Sequence, residues 1–355
     1  MTMRFPTLCS IGLIAALLPA VAYAQEPITV GPNGEAATPV AELELSDAEV
    51  EQIRQGSYTA AFAWHELYDW SGAVAQGAKD EFDRLGIKVV AETTAGFDSA
   101  RQQANVETSM ALSPSILISL PVDPAAGAST YAAALQGGAK IVFIDNAAAG
   151  LTQGTDYVTT VSADLVGIGE KTSEAMAAAL GGEGKIGYIF HDADFHVTNL
   201  RDSAFKWMIE NKYDGIGIVA EAGMADPARI EDIASAMLLQ NPDIDALYVP
   251  WAEPATGVLS VLRQLDRSDV KIVTIDLNEP AGLDMVQGGS ISALIADEAY
   301  NIGVYAARAG AASLLGKDVA PFLVVDAVIV TADNVAEGWQ QSLHHDAPAS
   351  VLNAQ

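Results

Sequence analysis

Ser115-Ile116-Leu117-Ile118-Ser119-Leu120 and Ile141-Val142-Phe143-Ile144-Asp145 bracket a helical stretch, 124–136, that stops at Gly137-Gly138. Two short apolar runs joined through a helix read as parallel strands with a crossover, covered on both faces. The same rhythm runs outward from this unit. Upstream are strands 58–63 and 87–92 and helices 71–85 and 99–111; the first helix carries Val74, Ala78, Phe82 and Leu85 on one stripe. Downstream are strands 185–190, 216–220, 246–249, 271–275 and 292–296, with helices 198–210, 228–239, 255–265 and 280–287 between them. A helix over 301–315 and a last strand over 322–330 close the series. Two such series predict an α/β fold of two doubly wound parallel-sheet lobes.

The chain has 355 residues, 50% hydrophobic and 18% charged, with a formal charge of −28. This length suits two domains with ordinary cores. The acidity argues against nucleic acid and anionic membranes, which attract basic patches. Arg4 precedes an apolar run, 11–21, that ends in Ala22-Tyr23-Ala24. This reads as a secretory signal peptide over residues 1–24, too short to span a bilayer. Its removal takes one positive charge and no acid, leaving 331 residues at −29 and no cysteine, because Cys9 is lost. The expectation is a soluble exported protein without thiol, disulfide or Cys–metal chemistry. Residues 25–45 lack periodicity and read as a flexible leader. A short helix to about Gln55 follows, with Ser46 as N-cap.

In doubly wound sheets ligands bind beyond the carboxyl ends of the strands. The strand ends here are 64–70, 121–123, 145–146, 191–199, 251–253, 276–279 and 297–300, and they are rich in Trp, Asp, Glu and His. Asp145, Asn199, Asp276 and Asp297 can pair with vicinal hydroxyls, and Trp70 and Trp251 can cover the apolar face of a sugar ring. Any single Asp in this position also reads as a helix cap, and Asp145 and Asp276 sit where caps sit. Four strand ends carrying this chemistry favour a site over chance capping.

With these residues in view, the chain resembles the periplasmic substrate-binding proteins of ABC sugar importers, in the ribose-binding-like class. The resemblance runs from about Ser57 to Asn334. It is carried by Gly77-Ala78 with Leu85-Gly86, by 141–145, by 199–205, by 241–248, by 252–262 and by 272–276. It implies type I periplasmic binding protein architecture, two lobes joined by a three-segment hinge. The crossings fall near Ala163-Asp164, Ala296-Asp297 and Asp326, giving lobes of 58–162 plus 297–325 and 164–295 plus 327–343, with 25–57 as leader and short helix and 344–355 as tail. It also implies a ligand set: Asp145 with Asn146, Asn199, Trp251, Asp276 and Asp297, with stacking aromatics from the 64–70 loop, chiefly Tyr68 and Trp70. Trp64 and His65 belong to the same loop, and Arg201 falls to a structural role. The implied function is capture of a monosaccharide or polyol by hinge closure and delivery to an inner-membrane ABC permease, by a periplasmic monomer that a chemoreceptor can also read. No catalysis and no cofactor are implied.

Ribose binders usually carry arginine at the positions of Asn146 and Asn199, and an amide at those of Trp251 and Asp297. The expected cleft is therefore wider and more negative, suited to a sugar other than ribose, or to a cationic amino sugar or other small polar solute held by Asp297 or Asp145. An exported α/β hydrolase is the rival reading, but no G-x-S-x-G elbow is present. The 167–172 segment has part of a phosphate-loop pattern, yet no glycine precedes Lys171, and it reads as a tightly packed helix start. The 191–196 stretch, with two His and two Asp, lacks a recognised metal spacing. His344-His345-Asp346 reads as tail surface. Sugar-responsive transcription regulators need an appended basic DNA-binding domain, and the leader here is acidic.

Overall fold

The structure is a computed structural model that describes residues 26–354; the expected signal peptide over 1–24 lies outside the described residues. Thirteen strands are described: β1 Thr38–Pro39, β2 Thr59–Trp64, β3 Lys88–Thr94, β4 Ile116–Ser119, β5 Lys140–Ile144, β6 Thr159–Ala163, β7 Gly184–His191, β8 Ile216–Met224, β9 Ala246–Val249, β10 Lys271–Ile275, β11 Ile291–Asp297, β12 Phe322–Val325 and β13 Ala327–Val330. The helices are α1 Asp47–Gln55, α2 Asp69–Leu85, α3 Ser99–Met110, α4 Gly127–Thr130, α5 Ala132–Gly137, α6 Leu165–Leu180, α7 His196–Lys212, α8 Ile230–Gln240, α9 Ala252–Gln264, α10 Glu279–Val286, α11 Ala299–Leu314, α12 Val335–Leu343 and α13 Ala349–Leu352.

These build two sheets, β1-β12-β6-β5-β4-β2-β3 and β13-β11-β10-β9-β7-β8. The first is parallel throughout; in the second, β13 runs antiparallel to β11. Period-2 alternation divides the first sheet's side chains between two cores. Ala60, Phe62, Ile116, Ile118 and Val142 face one, and Ala61, Ala63, Leu117, Ile141 and Phe143 face the other. Both faces are thus covered, as near-continuous apolar strands require. On one face α2 and α11 approach closely enough that a Cβ on Gly303 would lie 1.8 Å from the Val74 carbonyl oxygen.

The chain passes between the sheets three times. It leaves β6 at Asp164, leaves β11 at Glu298, and leaves β12 at Asp326. Backbone bonds tie the crossings side by side: Asp164 N–H donates to Val325 O at 2.9 Å, and Glu298 N–H donates to Asp326 O at 3.1 Å. The expected strand 322–330 is therefore two strands in two sheets, broken at Asp326.

Four expectations are corrected. The leader is not flexible: Val40 and Leu43 are buried, and Thr38–Pro39 pairs with the edge strand β12. It bridges the lobes as well. The Thr29 hydroxyl bonds the Asp164 carboxylate and accepts from Val166 N–H at 3.0 Å, while Asn33 Nδ2 donates to Tyr157 Oη at 2.9 Å. The helix expected over 124–136 is broken into a 3-10 turn, α4 and α5, with Gly127 at φ 40° against the Ala149 carbonyl. The 344–355 tail is partly packed, with Ala347 and Val351 buried. Strand β6 was not anticipated, and helix α6 was anticipated only as a helix start at 167–172. Thr159, Thr160 and Ser162 make β6 read as polar, yet all three are buried.

Candidate functional site

The carboxyl ends of both sheets open onto one cavity. From the first lobe it is lined by His65, Tyr68, Trp70, Phe97, Leu120, Asp145 and Asn146. From the second come His191, Phe195, Val197, Thr198, Arg201, Trp251 and Asp276, and Asp297 stands at the hinge. The lobes touch here: Val197 N–H donates to Asn146 Oδ1 at 3.3 Å.

Eight of the ten residues expected from sequence thus meet in one place. Trp64 does not. β2 runs one residue further than expected, and alternation puts Trp64 on the face of Ala60 and Phe62, where it stacks on Phe62 with ring centroids 5.3 Å apart. His65, the first residue past the strand, faces the cavity instead. Asn199 is exposed and lies outside the lining. On α7, Thr198 and Arg201 share the cleft face at i, i+3, and Asn199 is turned away by about 100°. Arg201 is correspondingly no mere scaffold residue. It is buried against the cavity, its Nη2 donates to Pro250 O at 2.7 Å, and its Nε has no partner. Phe97, Leu120, His191 and Phe195 complete the lining. Phe97 lies three residues past the end of β3, in the loop that the strand-end rule applied to that strand would have covered.

Asp145 and Asp276 follow β5 and β10 in left-handed backbone, at φ 59° and 70°. Neither caps a helix. Asn278 caps α10, accepting from Ala281 N–H at 2.9 Å, and Asp145 accepts the Ser162 hydroxyl at 2.7 Å. Non-glycine residues enter this backbone region at a cost of roughly 1–2 kcal/mol, and such strain gathers at functional sites. Asp297 ends β11, and its Oδ1 accepts the Trp70 indole N–H at 2.9 Å. That bond fixes the Trp70 ring, which lies against Tyr68 with centroids 6.4 Å apart. On the opposite wall the Trp251 ring meets His191 edge-on at 5.1 Å.

Burial raises the carboxylates' proton affinity. Asp145 is pushed up to about 6 by desolvation, opposed by the Ser162 hydrogen bond and by Arg201. Asp276 is raised by burial and held back by Arg201. Asp297 is raised well above the usual range by burial and by the like charges of Asp276 and Asp145. Burial holds His65 down to about 3 and His191 to about 4, so both rings are neutral at physiological pH. Among the described residues no three His, Cys, Asp or Glu side chains group as metal ligands. In the 191–196 stretch, His196 Nε2 bonds the Val30 carbonyl instead. The 167–172 segment opens α6, where the Asp164 carboxylate caps Gly167 N–H at 3.1 Å.

Comparison with known proteins places this geometry. The family model described as "Periplasmic binding protein domain" matches residues 60–318, well over half of the chain. The chain belongs to the periplasmic binding protein family. Among curated relatives, the ribose import binding protein of Escherichia coli (strain K12) is 27% identical over 262 residues, covering 73% of this chain and 85% of the relative. A solved carbohydrate transporter solute-binding protein from Agrobacterium radiobacter, in complex with D-arabinose, superimposes with a TM-score of 0.70 at 20% identity, covering 82% of this chain and 99% of that one. A solute-binding protein from Bacillus halodurans C-125 with bound myo-inositol does so with a TM-score of 0.68 at 21% identity, covering 79% and 97%. The two-lobed α/β fold is that of type I periplasmic binding proteins. Members of the family bind solutes for ABC importers and are not enzymes, so the hydrolase reading falls away.

Proposed function

We propose that this periplasmic binding protein is exported by cleavage after residue 24 and captures a neutral or charged monosaccharide or polyol between its lobes. One observation carries the reading. Asp145, Asp276, Asp297 and Arg201, from both lobes and the hinge, converge with the Trp70 and Trp251 rings on one cavity. Carboxylate and guanidinium pairs match vicinal hydroxyls, and indole faces match the C–H side of a ring. The ligands named for the structural relatives, D-arabinose and myo-inositol, are of this kind.

The mechanism follows from the crossings. The lobes rotate about residues 163–164, 297–298 and 326. Asp145, Asn146 and Trp70 travel with the first lobe, and Arg201, Trp251 and Asp276 with the second. Only the closed form offers both sets at once, so ligand free energy is spent on closure. The closed form is then what an inner-membrane permease recognises. The carboxylates accept hydroxyl protons as hydrogen-bond partners and break no bond.

A melting screen over pentoses, hexoses, inositols and linear polyols tests this. The expected result is a raised melting temperature for one class, equivalent to about 2.7 kcal/mol at a hundredfold excess over Kd. The ligand is recovered chemically unchanged. No shift with any member of the panel, or consumption of the ligand, contradicts the proposal.

A further inference from the structure

The cavity lining holds more carboxyl groups than cations, and a cation among them would favour their ionised forms. Asp145, Asp276 and Asp297 line it, each at most 6% exposed. Behind the lining, at the start of α9, Glu253 feels the charge of Asp276, and its Oε2 is buried without a partner. Burial and the charge of Asp276 push Glu253 up to about 7. Arg201 is the one cation in the lining, and its charge is shared among Asp276, Asp202 and Asp145. Asp202 is already engaged behind the cavity, accepting from Tyr248 Oη at 2.5 Å and from His191 N–H at 2.9 Å. His65 and His191 are held neutral by burial and supply no compensating charge.

Two further atoms offer hydrogen bonds to a ligand. Asn146 Nδ2 and Arg201 Nε belong to buried side chains in the lining, and neither has a hydrogen-bond partner. Buried donors left unpaired by the protein are costly, and a guest with oxygen atoms would supply acceptors to both. The donors thus call for hydroxyls, while the surplus carboxylates call for a cation.

We infer that the guest is a polyhydroxylated amine, an amino sugar or aminated polyol, whose ammonium is seated by Asp297 beside the Trp70 ring. The assignment to Asp297 follows from its partners. Asp145 accepts a hydroxyl from Ser162, and both Asp145 and Asp276 face Arg201. The Asp297 carboxylate accepts one hydrogen bond, from Trp70, and among its charged neighbours Asp276 and Asp145 outweigh Arg201. An ammonium has three donors and no acceptor, and aromatic faces such as those of Trp70 and Tyr68 attract cations. Closure also brings Asp145 of one lobe toward Asp276 of the other, a like-charge approach that a cation between them relieves. A cationic guest therefore gains more from the closed form than its neutral counterpart does.

This inference rests on the solute-binding reading above, and the experiment separates the two. Binding is measured by titration calorimetry at neutral pH for matched pairs. The pairs are D-glucosamine against D-glucose, D-galactosamine against D-galactose, D-mannosamine against D-mannose, and 1-amino-1-deoxy-D-glucitol against D-glucitol. The expected result is that the aminated member of the best-binding pair binds about tenfold tighter or more. In Asp297→Asn and, separately, Glu253→Gln, the ratio within that pair shrinks. Equal or tighter binding of the neutral members, or an undiminished ratio in both variants, overturns the inference. If only neutral solutes from the wider panel bind, the inference falls and the solute-binding reading stands. If neither panel binds, both fall.

Discussion

Asp145 and Asp276 occupy the same place in two sheets. Counting from the β3 edge of one and the β8 edge of the other, each follows the fourth strand, and each takes a left-handed backbone, at φ 59° and 70°. The lobes repeat one design, and the repeat points two buried carboxylates at one cavity from opposite sides.

This relationship sets the first expectation. Asp276→Asn keeps a side chain that tolerates the left-handed region and removes a buried like charge. The ligand-free protein should melt at the same temperature or higher at neutral pH. Affinity for the solute should fall about thirtyfold or more, the loss of about 2 kcal/mol expected for a charge-assisted hydrogen bond. Trp251→Ala should also abolish the ligand-induced melting shift, with circular dichroism unchanged. Full affinity in both variants would remove these residues from the site.

Asp145 sets a pH expectation. Its folded-state value, about 6, lies above the roughly 3.9 of an unfolded Asp. The folded state therefore holds its proton longer, and this group's favourable contribution is present at low pH and lost as pH rises from about 4 to 6. His65 and His191 slope the opposite way below pH 6.5, because their folded values are depressed. The difference between the wild type and Asp145→Asn isolates the carboxylate. In the ligand-free proteins, the wild type should lose up to about 2–3 kcal/mol relative to the variant between pH 4 and pH 7. A pH-independent difference by denaturant titration would show that burial does not perturb this group.

Helices α2 and α11 meet at glycines. A Cβ on Gly303 would lie 1.8 Å from Val74 O, and one on Gly77 would lie 2.0 Å from Tyr300 O. Gly303→Ala should force the helices apart and cost about 1–3 kcal/mol in urea unfolding, despite alanine's better helix propensity. An unchanged midpoint would mean that α11 does not pack against α2 as described.

The leader gives a fourth expectation. Leu43 is buried, and Arg308 Nη1 donates to its carbonyl at 3.3 Å. Leu43→Ala should cost about 2–5 kcal/mol, as truncation of a packed leucine does. A cost within about 0.5 kcal/mol, the range of surface changes, would return the leader to the unstructured state expected from sequence.

The sequence was most legible where periodicity and strand ends coincide. An apolar run ending in Asp fixed both β5 with Asp145 and β10 with Asp276. It was least legible where tertiary burial overrides polarity. Thr159, Thr160 and Ser162 sit in a strand flanked on both sides, and two of the hydroxyls are bonded to distant segments, Thr159 Oγ1 donating to Ala320 O and Ser162 Oγ to Asp145 Oδ1, each at 2.7 Å. Trp64 and Asn199 failed for a different reason. Each assignment depended on one residue of register, and one step along a strand or about 100° around a helix exchanges cavity for core or solvent. The leader has no period because its fixed points come from other segments, at Asp164, Tyr157 and β12.

The central claim is that a small solute is held between the two lobes by closure about the three crossings. Small-angle X-ray scattering with and without the solute that raises the melting temperature tests it most directly. The account predicts a smaller radius of gyration with the solute, and no contraction in Trp251→Ala under the same conditions. Saturating binding that leaves the radius of gyration of the wild type unchanged from an open ligand-free form would contradict it.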